Sequence, residues 1–222
     1  MKIIYLMSGP DKVNGFDEKI RNELKNDLKG TKSLTFIVSS PDSFAKNDMY
    51  INGNGQVIGV KNFLREISEI ETFNILDNRV DIETGSKFIQ SSDVLYFLGG
   101  DPFEQIKYIN NNGYDKLLKE FNGIILGTSA GAMNLGKISY YSKDDDYDKS
   151  LFYDGLGITN ITIDPHFDIN NSEQINEALT NSKGHEIIGV PNNSAIRICN
   201  EDIRYVNTCY KFVDGKVDII NE

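Results

Sequence analysis

An alternation constrains this chain more than any other feature. Short apolar runs at Lys2–Met7, Leu34–Val38, Thr72–Leu76, Val94–Leu98 and Ile124–Leu126 are separated by stretches with helical spacing. Between the first two, Phe16, Ile20, Leu24 and Leu28 fall on one helical face. Val60–Ile70 and a segment capped by Asp81 and running to Gln90 also read as helices, with shorter ones expected around Phe103–Ile109 and Tyr114–Phe121. The apolar runs lack the strict in-and-out alternation of a strand with one wet face, which fits parallel strands covered on both sides. This order predicts an α/β fold built on a doubly wound, mostly parallel sheet. From Ile187 the pattern changes to short strand-like pieces: Ile187–Val190, Ala195–Ile198, Arg204–Asn207, Tyr210–Val213 and Val217–Ile220. They are expected to finish the sheet or to form a small antiparallel flap.

With 222 residues, one core and one domain spanning 1–222 are expected. A net charge of −10 argues against nucleic acid and anionic membrane as partners, because such a surface repels phosphate. No stretch approaches the ~20 apolar residues of a membrane span. The opening residues read as a buried strand rather than a signal peptide. Two cysteines, Cys199 and Cys209, suggest no disulfide framework and suit a reducing, cytoplasmic setting.

In such sheets, ligands bind beyond the carboxyl ends of the strands. Two candidate turns fall there, Gly99-Gly100 and Gly127-Thr128-Ser129-Ala130-Gly131. The second matches a nucleophile elbow: an apolar strand precedes Ser129, and Ala130–Leu135 can begin a helix. Glycines suit a turn too tight for a Cβ, and a helix start offers unpaired N–H groups to a developing negative charge. The turn lacks the Lys-Ser/Thr of a P-loop and the third glycine of a dinucleotide fingerprint.

A serine hydroxyl needs a base. Of the two histidines, His166 follows a strand-like run and a proline, whereas His185 lies in a turn beside Gly184. His166 is the preferred base, and the long tail after it is unlike an α/β-hydrolase, in which the histidine comes late.

Four blocks, Gly99-Gly100-Asp101, Gly127-Thr128-Ser129-Ala130-Gly131-Ala132, Asp164-Pro165-His166-Phe167 and Ile188-Gly189-Val190-Pro191, together resemble the peptidase E family, the aspartyl dipeptidases related to cyanophycinase. The resemblance implies a flavodoxin-like fold of the class I glutamine amidotransferase type. It also implies a serine peptidase acting on small peptides through an acyl-enzyme, with Ser129 as nucleophile and His166 as base. Backbone N–H groups of Gly100 and Ala130 would form the oxyanion hole. No cofactor or metal is implied, and a monomer or homodimer is expected.

The chain departs from the family pattern twice. Where a glutamate usually serves as triad acid, it has Asn192, followed by Asn193. An amide carbonyl can orient the imidazole but supplies no charge. Asp144, in the acidic run Lys143-Asp144-Asp145-Asp146-Tyr147-Asp148, is the alternative acid. Where aspartyl dipeptidases carry a substrate-binding arginine, this chain has Ser172, and Arg197 replaces it only if it points toward the site. Two further readings remain: a non-catalytic relative that binds a small molecule, favoured by Asn192, and a glutaminase, disfavoured because no cysteine stands at the elbow.

Overall fold

The computed structural model describes residues 2–10, 14–55, 58–144 and 147–221. Five parallel strands form the centre of the molecule: β1 (Ile3–Met7), β2 (Ser33–Ile37), β3 (Thr72–Leu76), β4 (Val94–Phe97) and β5 (Ile124–Thr128). Helices α1 (Glu18–Asp27), α2 (Phe44–Asn52), α3 (Val60–Ile67), α4 (Ile82–Ser91), α5 (Pro102–Asn111) and α6 (Asp115–Glu120) lie between them, and α7 (Ala130–Asn134) follows β5. The local signals are plain. Asp17 caps α1, Asp81 caps α4 through Thr84 N–H, and Asp101 caps α5 ahead of Pro102.

Both sheet faces are covered, which explains the unbroken apolar runs. Ile3, Tyr5 and Met7 join one core with Ile20, Leu24 and Phe63 from the helices of that face. Ile4 and Leu6 join the opposite core with Ile89, Ile109, Leu118 and Met133. Every residue of β1 is buried.

The chain then departs from simple winding. A hairpin, β6 (Ile138–Tyr141) with β7 (Leu151–Asp154), precedes β8 (Ile163–Pro165) and α8 (Ser172–Asn181). Next come β9 (Glu186–Val190), β10 (Ala195–Cys199), β11 (Asp202–Val206), β12 (Cys209–Val213) and β13 (Lys216–Ile220). The tail meets both expectations at once. Strands β10 and β11 extend the central sheet antiparallel beside β1, giving the order β11-β10-β1-β5-β4-β2-β3. Strands β12 and β13 join β9 and β8 in a separate four-stranded sheet. Thus β4 and β5 are neighbours, and the glycine turn after one faces the serine turn after the other. The helices α2 and α8 and the β6–β7 hairpin were not expected from the sequence. Among the described residues, no helix is long and apolar enough to cross a membrane.

Candidate active site

Ser129 sits at the junction of β5 and α7 with φ 50° and ψ −123°, in the positive-φ half of conformational space that L-residues rarely occupy. Packing holds it there. Its N–H donates to the Met7 carbonyl at 2.8 Å. A Cβ on Gly127 would lie 2.7 Å from Ala132 Cα, and one on Gly131 would run into the Phe97 carbonyl. Both glycines of the turn are therefore required by close approach, and only Ser129 carries the backbone strain, of order 1–3 kcal/mol. As the first residue of α7, Ala130 presents a backbone N–H that the helix itself leaves unpaired. Gly100 has φ 134°, and a Cβ there would collide with Ser39 Oγ. Gly100, Ser129 and Ala130 line one cleft together.

His166 follows β8 and also has a positive φ, 58°. Its N–H donates to Ser8 Oγ at 2.8 Å, and the Ser8 hydroxyl donates to the Val190 carbonyl at 2.7 Å. Pro165 pairs with Val190 across β8 and β9, and Phe167 N–H also donates to Val190. The imidazole is thus carried on a braced strand end.

The ring has a polar partner on each side. Nε2 lies 2.9 Å from Ser129 Oγ, and Nδ1 lies 2.6 Å from Asn192 Oδ1. With the Asn192 carbonyl facing the ring, Nδ1 carries the proton and donates. Nε2 then keeps its lone pair and accepts from the serine hydroxyl. Asn192 stands just beyond β9, after Pro191.

The competing residues lie elsewhere. Asp144 accepts from Tyr141 OH at 2.6 Å and from Tyr147 N–H at 2.9 Å, so its carboxylate is turned into its own loop rather than onto His166 Nδ1. Its neighbours Asp145 and Asp146 lie outside the described residues. His185 is exposed and stacks on Phe152 at 4.2 Å. Ser172 is the exposed first residue of α8. Arg197 does not reach the site: it forks onto Asp27, with Nε at 2.6 Å from Oδ2 and an Nη at 3.0 Å from Oδ1. Cys199 ends β10 and Cys209 begins β12, where burial pushes the Cys209 thiol up to about 12.

Ser129 and His166 stand between two clefts. The larger, about 590 Å³, is lined by Ser8, Phe16, Asp17, Tyr50, Asn192 and Asn193 among others. The smaller, about 220 Å³, includes Met133, Tyr141, Lys143, Asp144 and Gln174. Among the described residues, no group of three or more His, Cys, Asp or Glu side chains is placed to hold a metal ion.

Sequence reasoning missed two residues. Ser8 braces His166. Its position just past the end of β1, on the same sheet edge as the serine turn, was a usable signal. Asp164, two residues before His166, is fully buried; its Oδ1 accepts from the Ser142 hydroxyl at 2.8 Å, while Oδ2 has no hydrogen-bond partner. Desolvation pushes its pKa up to about 7. No sequence pattern distinguishes such an acid from a solvated one.

No curated protein matches the sequence. Among solved structures, a candidate peptidase E protein from Listeria monocytogenes EGD-e matches at 20% identity and a TM-score of 0.65, over 93% of this chain and 98% of that one. A peptidase from an acI-B1 Actinobacterium matches at 16% identity and the same TM-score of 0.65, over 100% of this chain and 94% of that one. At these identities the likeness establishes the fold. The model of peptidase family S51 matches residues 4–206, nearly the whole chain, and the chain therefore belongs to that family, the peptidase E family.

Proposed function

We propose that this protein is a serine peptidase of the peptidase E type that hydrolyses small peptides. The observation that carries the reading is the continuous relay from Ser129 Oγ through His166 to Asn192 Oδ1, with bonds of 2.9 and 2.6 Å. In the proposed reaction His166 Nε2 takes the hydroxyl proton as Ser129 Oγ attacks the peptide carbonyl. The N–H groups of Gly100 and Ala130 receive the oxyanion of the tetrahedral intermediate. Collapse breaks the C–N bond, and His166 returns the proton to the leaving amine. Water, deprotonated by the same nitrogen, then releases the acyl group and restores Ser129. Asn192 holds the imidazole in the productive tautomer without contributing charge.

A second reading has one observation in its favour: the neutral Asn192 where a carboxylate would stabilise the imidazolium. On that reading the protein binds a small molecule with little or no turnover.

A fluorophosphonate and a dipeptide panel decide between the two. The proposal expects covalent labelling of wild type at Ser129, no labelling of Ser129→Ala, and losses of about 10³-fold or more in hydrolysis for both Ser129→Ala and His166→Ala. Because Ser172 is uncharged and Arg197 is committed to Asp27, Asp-X dipeptides are expected to gain less than about tenfold over Ala-X. A wild-type protein that resists the label and cleaves no dipeptide leaves the binding reading standing.

A further inference from the structure

Next to the larger cleft is a second cavity of about 210 Å³, between α2, α3 and the turn after β4. Val60, Phe63 and Leu98 form its buried floor, and Met49, Tyr50 and Ile58 surround its mouth. Single exposed apolar residues are ordinary on a protein surface. Here three large ones, Met49 at 43% exposure, Tyr50 at 37% and Ile58 at 45%, converge on one cavity.

Its position matters more than its composition. Pro10, Tyr50 and Gly99 line both this cavity and the cleft that holds Ser129 and His166. A Cβ on Gly99 would lie 3.1 Å from Ser129 Cβ and 3.7 Å from its Oγ, so the shared wall touches the nucleophile.

Two polar side chains of the wall are already engaged. The Ser39 hydroxyl donates to the Gly99 carbonyl at 2.6 Å, and the Asn47 amide donates to the Ser40 carbonyl at 2.9 Å. Among the described lining residues the one charged side chain is Lys46, which is exposed at the mouth. A polar or charged side chain entering the floor would lose its hydration without compensation, whereas an apolar one would gain. A dry cavity of roughly 150 Å³ holds a benzene ring, so this one has room for a single ring or a branched aliphatic group.

We infer that this pocket receives a bulky apolar side chain of the peptide, on a residue flanking the bond that is cleaved. The inference rests on the serine-peptidase reading for the cleavage, but not for the binding.

The test therefore measures both. Ala-Phe, Phe-Ala and Ala-Ala are titrated calorimetrically into Ser129→Ala and assayed as substrates of wild type, Met49→Asp and Ile58→Asp. Both substituted positions are exposed, so folding is not at stake. One of the two phenylalanine dipeptides is expected to bind, and to be cleaved, about tenfold or more better than Ala-Ala. Each aspartate variant should cut that preference below about threefold while leaving Ala-Ala turnover unchanged. The inference is overturned if neither phenylalanine dipeptide exceeds Ala-Ala, or if the preference survives both variants. Binding with that preference but no cleavage would keep the pocket and sink the peptidase reading. Equal cleavage of all three would do the reverse.

Discussion

Strand β1 passes two polar clusters built on opposite principles. At its middle, the Tyr5 hydroxyl donates to Asp27 Oδ2 at 2.6 Å, and Arg197 forks onto the same carboxylate from β10. Desolvation works against the Asp27 charge, but the bonds from Arg197 and Tyr5 outweigh it and hold the carboxyl below its ordinary range. Burial and the neighbouring Asp27 push the Tyr5 hydroxyl well up. Every charge there is answered. At the carboxyl end of the strand, Met7 and Ser8 brace Ser129 and His166, and the logic reverses. Two non-glycine residues sit at positive φ, the imidazole has a neutral partner, and a buried carboxylate nearby has an unpartnered oxygen. The flank converts polar contacts into stability. The strand end holds strain and unmatched polarity, the pattern of a site shaped for chemistry.

If the contrast is real, the two regions should respond differently to mutation. The largest effect belongs to the flank. Arg197→Met leaves Asp27 facing a mostly dry environment and should cost about 3 kcal/mol in urea unfolding, with kcat/KM on the best dipeptide unchanged within about twofold. A parallel loss of activity would mean that Arg197 serves the site after all.

The next effect tests the unmatched acid. Asp164 titrates near 7 in the folded protein against an ordinary value of 3.8, so the folded state holds a proton that the unfolded state releases. The stability this group contributes is full below about 3.8 and is lost as pH rises toward and through about 7. Asp164→Asn removes that titration. Subtracting its unfolding free energy from that of wild type should therefore give a difference that falls by at least about 1 kcal/mol between pH 4 and pH 8. The other titrating groups are common to both proteins and cancel. A flat difference would show that Asp164 is hydrated or paired in solution.

The same contrast explains what could be read from sequence. The five parallel strands were legible because burial on both faces makes them continuous apolar runs, as in Ile3–Met7. The Ser129 turn was legible because close approach demands Gly127 and Gly131 at fixed spacing. Helix α2 was not, since it buries only Asn47 and Ile51 and leaves Phe44, Met49 and Tyr50 exposed, so no apolar stripe marks it. Helix α8 buries only Ala178, and strand β7 is at most half-buried, for the same lack of signal. The third relay position is a matter of long-range geometry. Sequence placed Asn192 there by resemblance and left Asp144 as the alternative acid. What separates them is that β9 ends beside β8, while Asp144 is engaged by Tyr141 and Tyr147.

That position is the centre of the account, and the labelling rate of Ser129 by a fluorophosphonate tests it without requiring the natural substrate. If Asn192 orients His166, Asn192→Ala should slow labelling by about tenfold or more, and Asn192→Glu should accelerate it by a similar factor by adding charge behind the imidazolium. Asp144→Asn should then label within about twofold of wild type. The opposite pattern, with Asp144→Asn crippled and both Asn192 variants indistinguishable from wild type, would contradict the relay described here.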